Sequence, residues 1–177
     1  MATFGPSKYM NTAILLIGGN MGDRPKFLQQ AASLIAARAG HILRESTMYE
    51  TAPWGDVQQP DYLNQALVVE TTMEAPLLLD VLLEIEKEIG RVRRQKWGSR
   101  VIDIDMIFFN NEVITLPQLK VPHPQMQNRR FVLAPLQEII PQWVHPILQL
   151  TVEQLLEACP DPLPALKYAV PLHHNRR

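Results

Sequence analysis

Nothing in this chain constrains its fold more than residues 101–109, Val-Ile-Asp-Ile-Asp-Met-Ile-Phe-Phe. Apolar and acidic residues alternate with period two, which a strand accommodates by sending Ile102, Ile104 and Met106 into a core and Asp103 and Asp105 to the other face. Residues on one strand face recur roughly every 6–7 Å, so the two carboxylates share one space. Asp is depleted in strands, yet it occurs here twice on one face of a strongly apolar segment. Upstream, residues 91–100 (Arg-Val-Arg-Arg-Gln-Lys-Trp-Gly-Ser-Arg) carry four Arg and one Lys. Alone, such a run is an exposed loop, and Asp-x-Asp alone is a solvated strand edge. Joined, they describe a chemistry. Mg²⁺ takes one or two carboxylates plus phosphate oxygens, and guanidinium forks bind phosphate through paired hydrogen bonds. Asp103 and Asp105 are therefore candidate metal ligands for Mg²⁺-bound polyphosphate.

The remaining elements place this strand in a sequence of others. Residues 13–18 read as a short buried strand ending in the turn Gly18-Gly19-Asn20. From Pro25, apolar spacing through Phe27, Leu28, Ala31, Leu34 and Ile35 predicts a helix that stops at Gly40. Residues 42–50 read as a second strand, 51–60 as a breaker-rich loop, and 63–72 as a third strand. Leu78, Leu82, Ile85 and Ile89 share one side of a helix over 76–89, stopped at Gly90. After the acidic strand, Asn110-Asn111 predicts a hairpin turn into 112–115. The order strand–helix–strand–strand–helix–strand predicts an α+β fold with a ferredoxin-like βαββαβ core, helices packed on an antiparallel or mixed sheet. Residues 131–140 and 152–158 add a short C-terminal helical extension. The expected layout is an N-terminal extension over 1–12, one domain over 13–159, and a proline-rich, poorly ordered tail over 160–177.

Composition narrows the function. The 177 residues suffice for one sizeable core, and 46% hydrophobic with 20% charged residues suits a globular protein. A net charge of −1 makes the cationic run a local feature and argues against a general nucleic-acid binder. The single cysteine, Cys159, allows no internal disulfide, as suits a reducing cytoplasm. No apolar run approaches a membrane span, and residues 1–11 lack the blocks of a signal peptide. A cytoplasmic monomer without membrane or nucleic-acid partners is the expectation. No Gly-x-x-x-x-Gly-Lys-Ser/Thr loop is present, so Arg and Mg²⁺ must hold any nucleotide phosphates. His123, in Val-Pro-His-Pro, is a candidate phosphate donor. Tyr62 and Phe131 are candidates to stack on a flat substrate, although such aromatics more often belong to the core.

Several ordered motifs carry a resemblance: Gln59-Pro60-Asp61-Tyr62-Leu63-Asn64, Gly90-Arg91-Val92-Arg93, Trp97-Gly98-Ser99-Arg100 with Asp103-Ile104-Asp105, Val121-Pro122-His123, and Asn128-Arg129-Arg130-Phe131. From about residue 13 to about 146 the chain resembles the 6-hydroxymethyl-7,8-dihydropterin pyrophosphokinases, enzymes of folate biosynthesis that move pyrophosphate from ATP to a pterin alcohol. The resemblance implies two Mg²⁺ ions on Asp103 and Asp105, and ATP as co-substrate. It implies Arg91, Arg93 and Arg100 on the phosphates, with Arg91 and Arg100 nearest the transferred group. Trp97 would belong to a closing loop, and His123, Arg129 and Glu86 to the nucleotide side. Tyr62 and Phe131 would sandwich the pterin, with Asn64 and the backbone from Thr51 through Pro53 to Trp54 reading its edge. The substrates implied are small molecules.

The chain departs from the family pattern at Gly19, where a serine is usual, and in a segment 94–96 one residue shorter than in some members. Two other classes compete. A nucleic-acid module on a ferredoxin-like sheet would carry an aromatic stacking pair on its strands, which this chain lacks. A Mg²⁺-dependent phosphohydrolase would release AMP without pterin.

Overall fold

A computed structural model of the chain describes residues 9–53, 58–90 and 101–169. It is a mixed α+β fold built on an antiparallel sheet. β1 (Asn11–Gly19) runs through the middle, and its residues 13–17 are buried on both faces. On one side it pairs with β4 (Tyr62–Thr71), on the other with β5 (Asp103–Phe109), both antiparallel. Two helices cover one face. α1 (Arg24–Arg38) starts where Asp23 Oδ1 accepts the Lys26 amide, with Pro25 in its first turn, and buries Leu28, Ala31 and Ile35. α2 (Ala75–Gly90) buries Leu78, Leu82, Ile85 and Ile89 along the predicted stripe. These side chains meet Leu15, Ile17, Ile104 and Met106 in the larger core. The opposite face carries α3 (Arg130–Ile139) and α4 (Val152–Glu157), whose Leu133, Leu136 and Val152 pack on Ile14, Leu16 and Phe108. No helix among the described residues is long and apolar enough to cross a membrane.

β5 changes face part-way along. Leu15 pairs with Met106 but Ile14 pairs with Phe108, so a bulge at Ile107 lets Ile107 and Phe108 both enter the α3 side. Below the bulge, Asp103 and Asp105 stand on that same side, while Ile104 and Met106 face α1 and α2 as the alternation predicts.

The structure corrects three expectations. The strand expected over 42–50 is two: β2 (His41–Glu45) and β3 (Tyr49–Thr51) pair with opposite ends of β4. Between them Ser46 bonds across to Ala66 twice, its amide to the carbonyl at 2.9 Å and its hydroxyl accepting the Ala66 amide at 2.9 Å. A side-chain oxygen thus replaces a ladder carbonyl and breaks the strand. Residues 112–115 do not pair with β5. Asn110, at φ 50°, turns the chain and bonds back to Thr12 and Asn11, so β6 (Ile114–Thr115) leaves and pairs with β7 (Lys120–Val121). The tail is ordered as far as it is described: β8 (Leu166–Lys167) adds antiparallel to β3.

Candidate active site

A cleft of about 580 Å³ opens on the α3 side of the sheet. Its floor is made by strand residues of one face: Leu16 and Gly18 of β1, Tyr62 and Asn64 of β4, Asp103 and Asp105 of β5. Cross-strand pairing puts Gly18 opposite both Asn64 and Asp103, and Leu16 opposite Asp105. One wall is the chain leaving β3, Thr51 to Pro53, together with Gln59. The other is Gln125, Asn128, Arg129 and Phe131, where a short 3₁₀ turn (Met126–Asn128) feeds α3.

Polar and aromatic groups divide along this cleft. Asp103 is half-buried and Asp105 exposed. Arg129 holds its guanidinium 5.9 Å from the Phe131 ring centroid, in cation–π range. The Tyr62 hydroxyl reaches Gln59 Oε1 at 3.5 Å. A Cβ at Gly18 would overlap the Asn64 amide oxygen, so the bare glycine is what lets Asn64 lie across β1.

His123 stands just behind this surface. Its amide donates to the Ile107 carbonyl at 3.0 Å and its Nδ1 accepts the Gln125 amide at 3.4 Å. Burial draws the imidazole below its ordinary value; the Asp105 carboxylate pulls it back up and the Arg129 guanidinium pushes it further down. It therefore lies within the electrostatic reach of both cleft charges. Glu86 does not line the cleft. From α2 its Oε1 accepts the Ile104 amide at 2.6 Å, satisfying an outward-facing donor of edge strand β5 between the two aspartates.

Of the residues expected from sequence, Thr51, Pro53, Tyr62, Asn64, Asp103, Asp105, Arg129 and Phe131 line one cleft. Arg91, Arg93, Trp97, Arg100 and Trp54 lie outside the described residues. Sequence reasoning missed Gln59, Gln125 and Asn128 as lining groups and the packing role of Gly18. Gln59 and Asn128 sat within motifs already singled out. Gly18 had no local signal, because its constraint comes from Asn64, which the sheet register brings opposite.

The protein-family model for 7,8-dihydro-6-hydroxymethylpterin-pyrophosphokinase matches residues 14–141, which include every residue that lines the cleft. The chain belongs to this family. Among relatives of this chain, the 2-amino-4-hydroxy-6-hydroxymethyldihydropteridine pyrophosphokinase of Synechocystis sp. is 40% identical over 161 residues, covering 89% of this chain and 82% of the relative. The enzyme of the same name from Bacillus subtilis is 43% identical over 133 residues, covering 75% and 80%. Among solved structures, wild-type Plasmodium falciparum HPPK-DHPS superposes with a TM-score of 0.69 over 87% of this chain, at 19% identity. This chain spans 44% of that one, and the likeness bears on the fold alone.

Proposed function

We propose a division of labour for the pyrophosphoryl transfer, from ATP to a hydroxymethyl-dihydropterin, that family membership gives this chain. One observation carries it: two carboxylates on one strand face and an aromatic–amide pocket open into the same cleft. Tyr62 and Phe131 stack on the pterin ring, and Asn64, with donor and acceptor on one amide, pairs with its edge beside the backbone of Thr51 to Pro53. Arg129 and His123 serve the nucleotide. Arg91, Arg93 and Arg100, together with Trp97 and Trp54, keep the roles that the resemblance implies.

The donor set fits Mg²⁺. Among the described residues no group of three or more His, Cys, Asp or Glu could hold a metal. Two carboxylates alone suit Mg²⁺, which completes its shell with phosphate oxygens and water. Asp103 and Asp105 would hold the two ions, which supply charge neutralisation at the phosphates. The chain's own groups position and exclude: Phe131 and Tyr62 fix the ring, Asn64 sets its rotation, and the arginines spread charge from the transferred group. The pterin hydroxymethyl oxygen bonds to the β-phosphorus in line as the bond from that phosphorus to the α-phosphate oxygen breaks. AMP leaves and the hydroxyl proton passes to solvent.

The strand order β5-β1-β4, with β2 and β3 along the far edge of β4 and α1 and α2 on one face, supports a ferredoxin-like core. A cytoplasmic monomer accompanies this reading, and sedimentation velocity tests the oligomeric part. Phosphorus NMR of ATP, Mg²⁺ and the pterin alcohol tests the transfer: AMP and a pterin diphosphate are expected. ADP with a pterin monophosphate would overturn it, and AMP formed without pterin would point to a hydrolase.

A further inference from the structure

We propose that residues 160–168 form a positioning brace for the pterin side of the cleft, with Asp161 as its anchor. The proposal rests on the assignment of Phe131 to the pterin. α3 begins with an unusual cap. Its N-cap residue is Arg129, whose side chain makes no capping bond. An Asp, Ser or Thr there would satisfy the helix, but the position is taken by a cation that lines the cleft. The cap comes from 31 residues downstream: Asp161 Oδ2 accepts the Arg130 amide at 3.0 Å. Asp161 Oδ1 accepts the Leu163 amide at 2.9 Å, and the Asp161 carbonyl accepts Arg130 Nε at 3.1 Å. Asp161 is only 3% exposed. A carboxylate so buried needs such partners, and the positive end of α3 favours it. It therefore fixes the first turn of the helix that presents Arg129 and Phe131.

The same segment then crosses to the other wall. Leu166 and Lys167 pair with Glu50 and Tyr49 of β3, and the Tyr168 amide donates to the Met48 carbonyl at 2.8 Å. The Tyr168 ring lies 5.5 Å from the Arg24 guanidinium. Arg24 in turn pairs with Glu50 at 2.7 Å and donates to the Asp61 carbonyl at 2.7 Å, one residue before Tyr62. One strap of chain thus holds both the Phe131 wall and the Thr51–Tyr62 wall, without lining the cleft itself. Its work is to keep the two aromatic rings at the spacing a flat heterocycle needs.

The test is steady-state kinetics with each substrate varied, alongside thermal melts. Asp161→Ala should raise KM for the pterin alcohol about fivefold, the scale of a lost helix cap, with a smaller change in kcat. Asp161→Asn keeps one acceptor for the Arg130 amide and should bring the rise down to about twofold. Thr151→Ala, which removes the cap of α4 away from the cleft, should lower the melting temperature and leave both KM values unchanged. An unchanged pterin KM in Asp161→Ala, or an equal rise in Thr151→Ala, overturns the brace. Should Asp161→Ala fail to fold, an unchanged KM in Asp161→Asn overturns it instead. Phe131→Ala separates the two readings: if it leaves the pterin KM unmoved, the assignment of Phe131 fails and takes this inference with it.

Discussion

Gly18 and Asn64 face each other across β1 and β4 so closely that a methyl group on the glycine would take the place of the amide oxygen. Gly18→Ala should therefore turn Asn64 away and raise the pterin KM about tenfold, with ATP affinity little changed, at a cost of about 1–3 kcal/mol in stability. Gly40 is a useful contrast. A Cβ there would meet the Glu70 carbonyl, far from the cleft lining, so Gly40→Ala should destabilise without moving either KM. Calorimetry on both variants decides it. Equal losses for pterin and ATP in Gly18→Ala would make Asn64 a structural residue.

Removing either carboxylate should stop turnover. Asp103→Ala and Asp105→Ala are each expected to lower kcat by at least ~100-fold, the scale seen when charge stabilisation is taken from a reacting phosphate or oxyanion. Asp105 is exposed, so its replacement should leave the melting temperature nearly unchanged. Rates measured across a Mg²⁺ titration provide the check. Near-normal turnover at ordinary Mg²⁺ would return the pair to a solvated strand edge.

Glu86 offers a choice between contact and support. Because it holds the Ile104 amide, Glu86→Ala should destabilise the fold by about 1.5–3 kcal/mol, the worth of a hydrogen bond to a charged group. It should lower kcat by loosening the strand segment between the aspartates. Glu86→Gln keeps an acceptor and should recover most of both. A variant that loses ATP affinity at unchanged stability would show instead that Glu86 touches the nucleotide.

A pH-dependent clamp joins α3 to β3. Glu138 accepts the Tyr49 hydroxyl at 2.7 Å, the Thr47 hydroxyl at 2.8 Å and the Thr47 amide at 3.1 Å. Partial burial pushes the Glu138 carboxyl up, but the bonds from Tyr49 and Thr47 outweigh it and hold the group below its usual value. Its stabilisation is then full above the unfolded carboxyl range and lost as pH falls through the lowered folded value. Burial and the Glu138 bond push Tyr49 from 10.0 to about 12. On the alkaline side the unfolded phenol ionises first, so stability falls between these two values. Melting temperature against pH should show both limbs; Glu138→Gln should flatten the acid one and Tyr49→Phe the alkaline one. Unaltered limbs in both variants would remove the clamp from the account.

What was legible in the chain follows the range of the forces involved. β5 and α2 could be read because burial on one face writes a period of two or 3.6 into neighbouring residues. The carboxylate pair was legible for the same reason. The break at Ser46 was not, since it depends on Ala66 on another strand, and neither was β8, whose proline-rich surroundings read as a free end. In the site, the periodicity reading reached Asp103 and Asp105, while Asn64 and the pterin role of Tyr62 and Phe131 came through the resemblance. Gly18 and Asp161 escaped both: each is fixed by a partner far away in sequence.

The bulge at Ile107 makes β5 a strand with two registers of obligation. Below it, alternate residues must be acidic for the cleft; above it, Phe108 must fill the core under α3. Ile107 is the extra residue: without it Leu15 would still pair with Met106 and Ile14 with Phe108, so the carboxylates and Phe108 would keep their faces while the core under α3 lost one side chain. The bulge is therefore slack built into the strand, one residue that can be spared without moving the acidic half. Libraries that vary strand length should accordingly recover active chains lacking Ile107, with a lowered melting temperature on the scale of a lost core side chain.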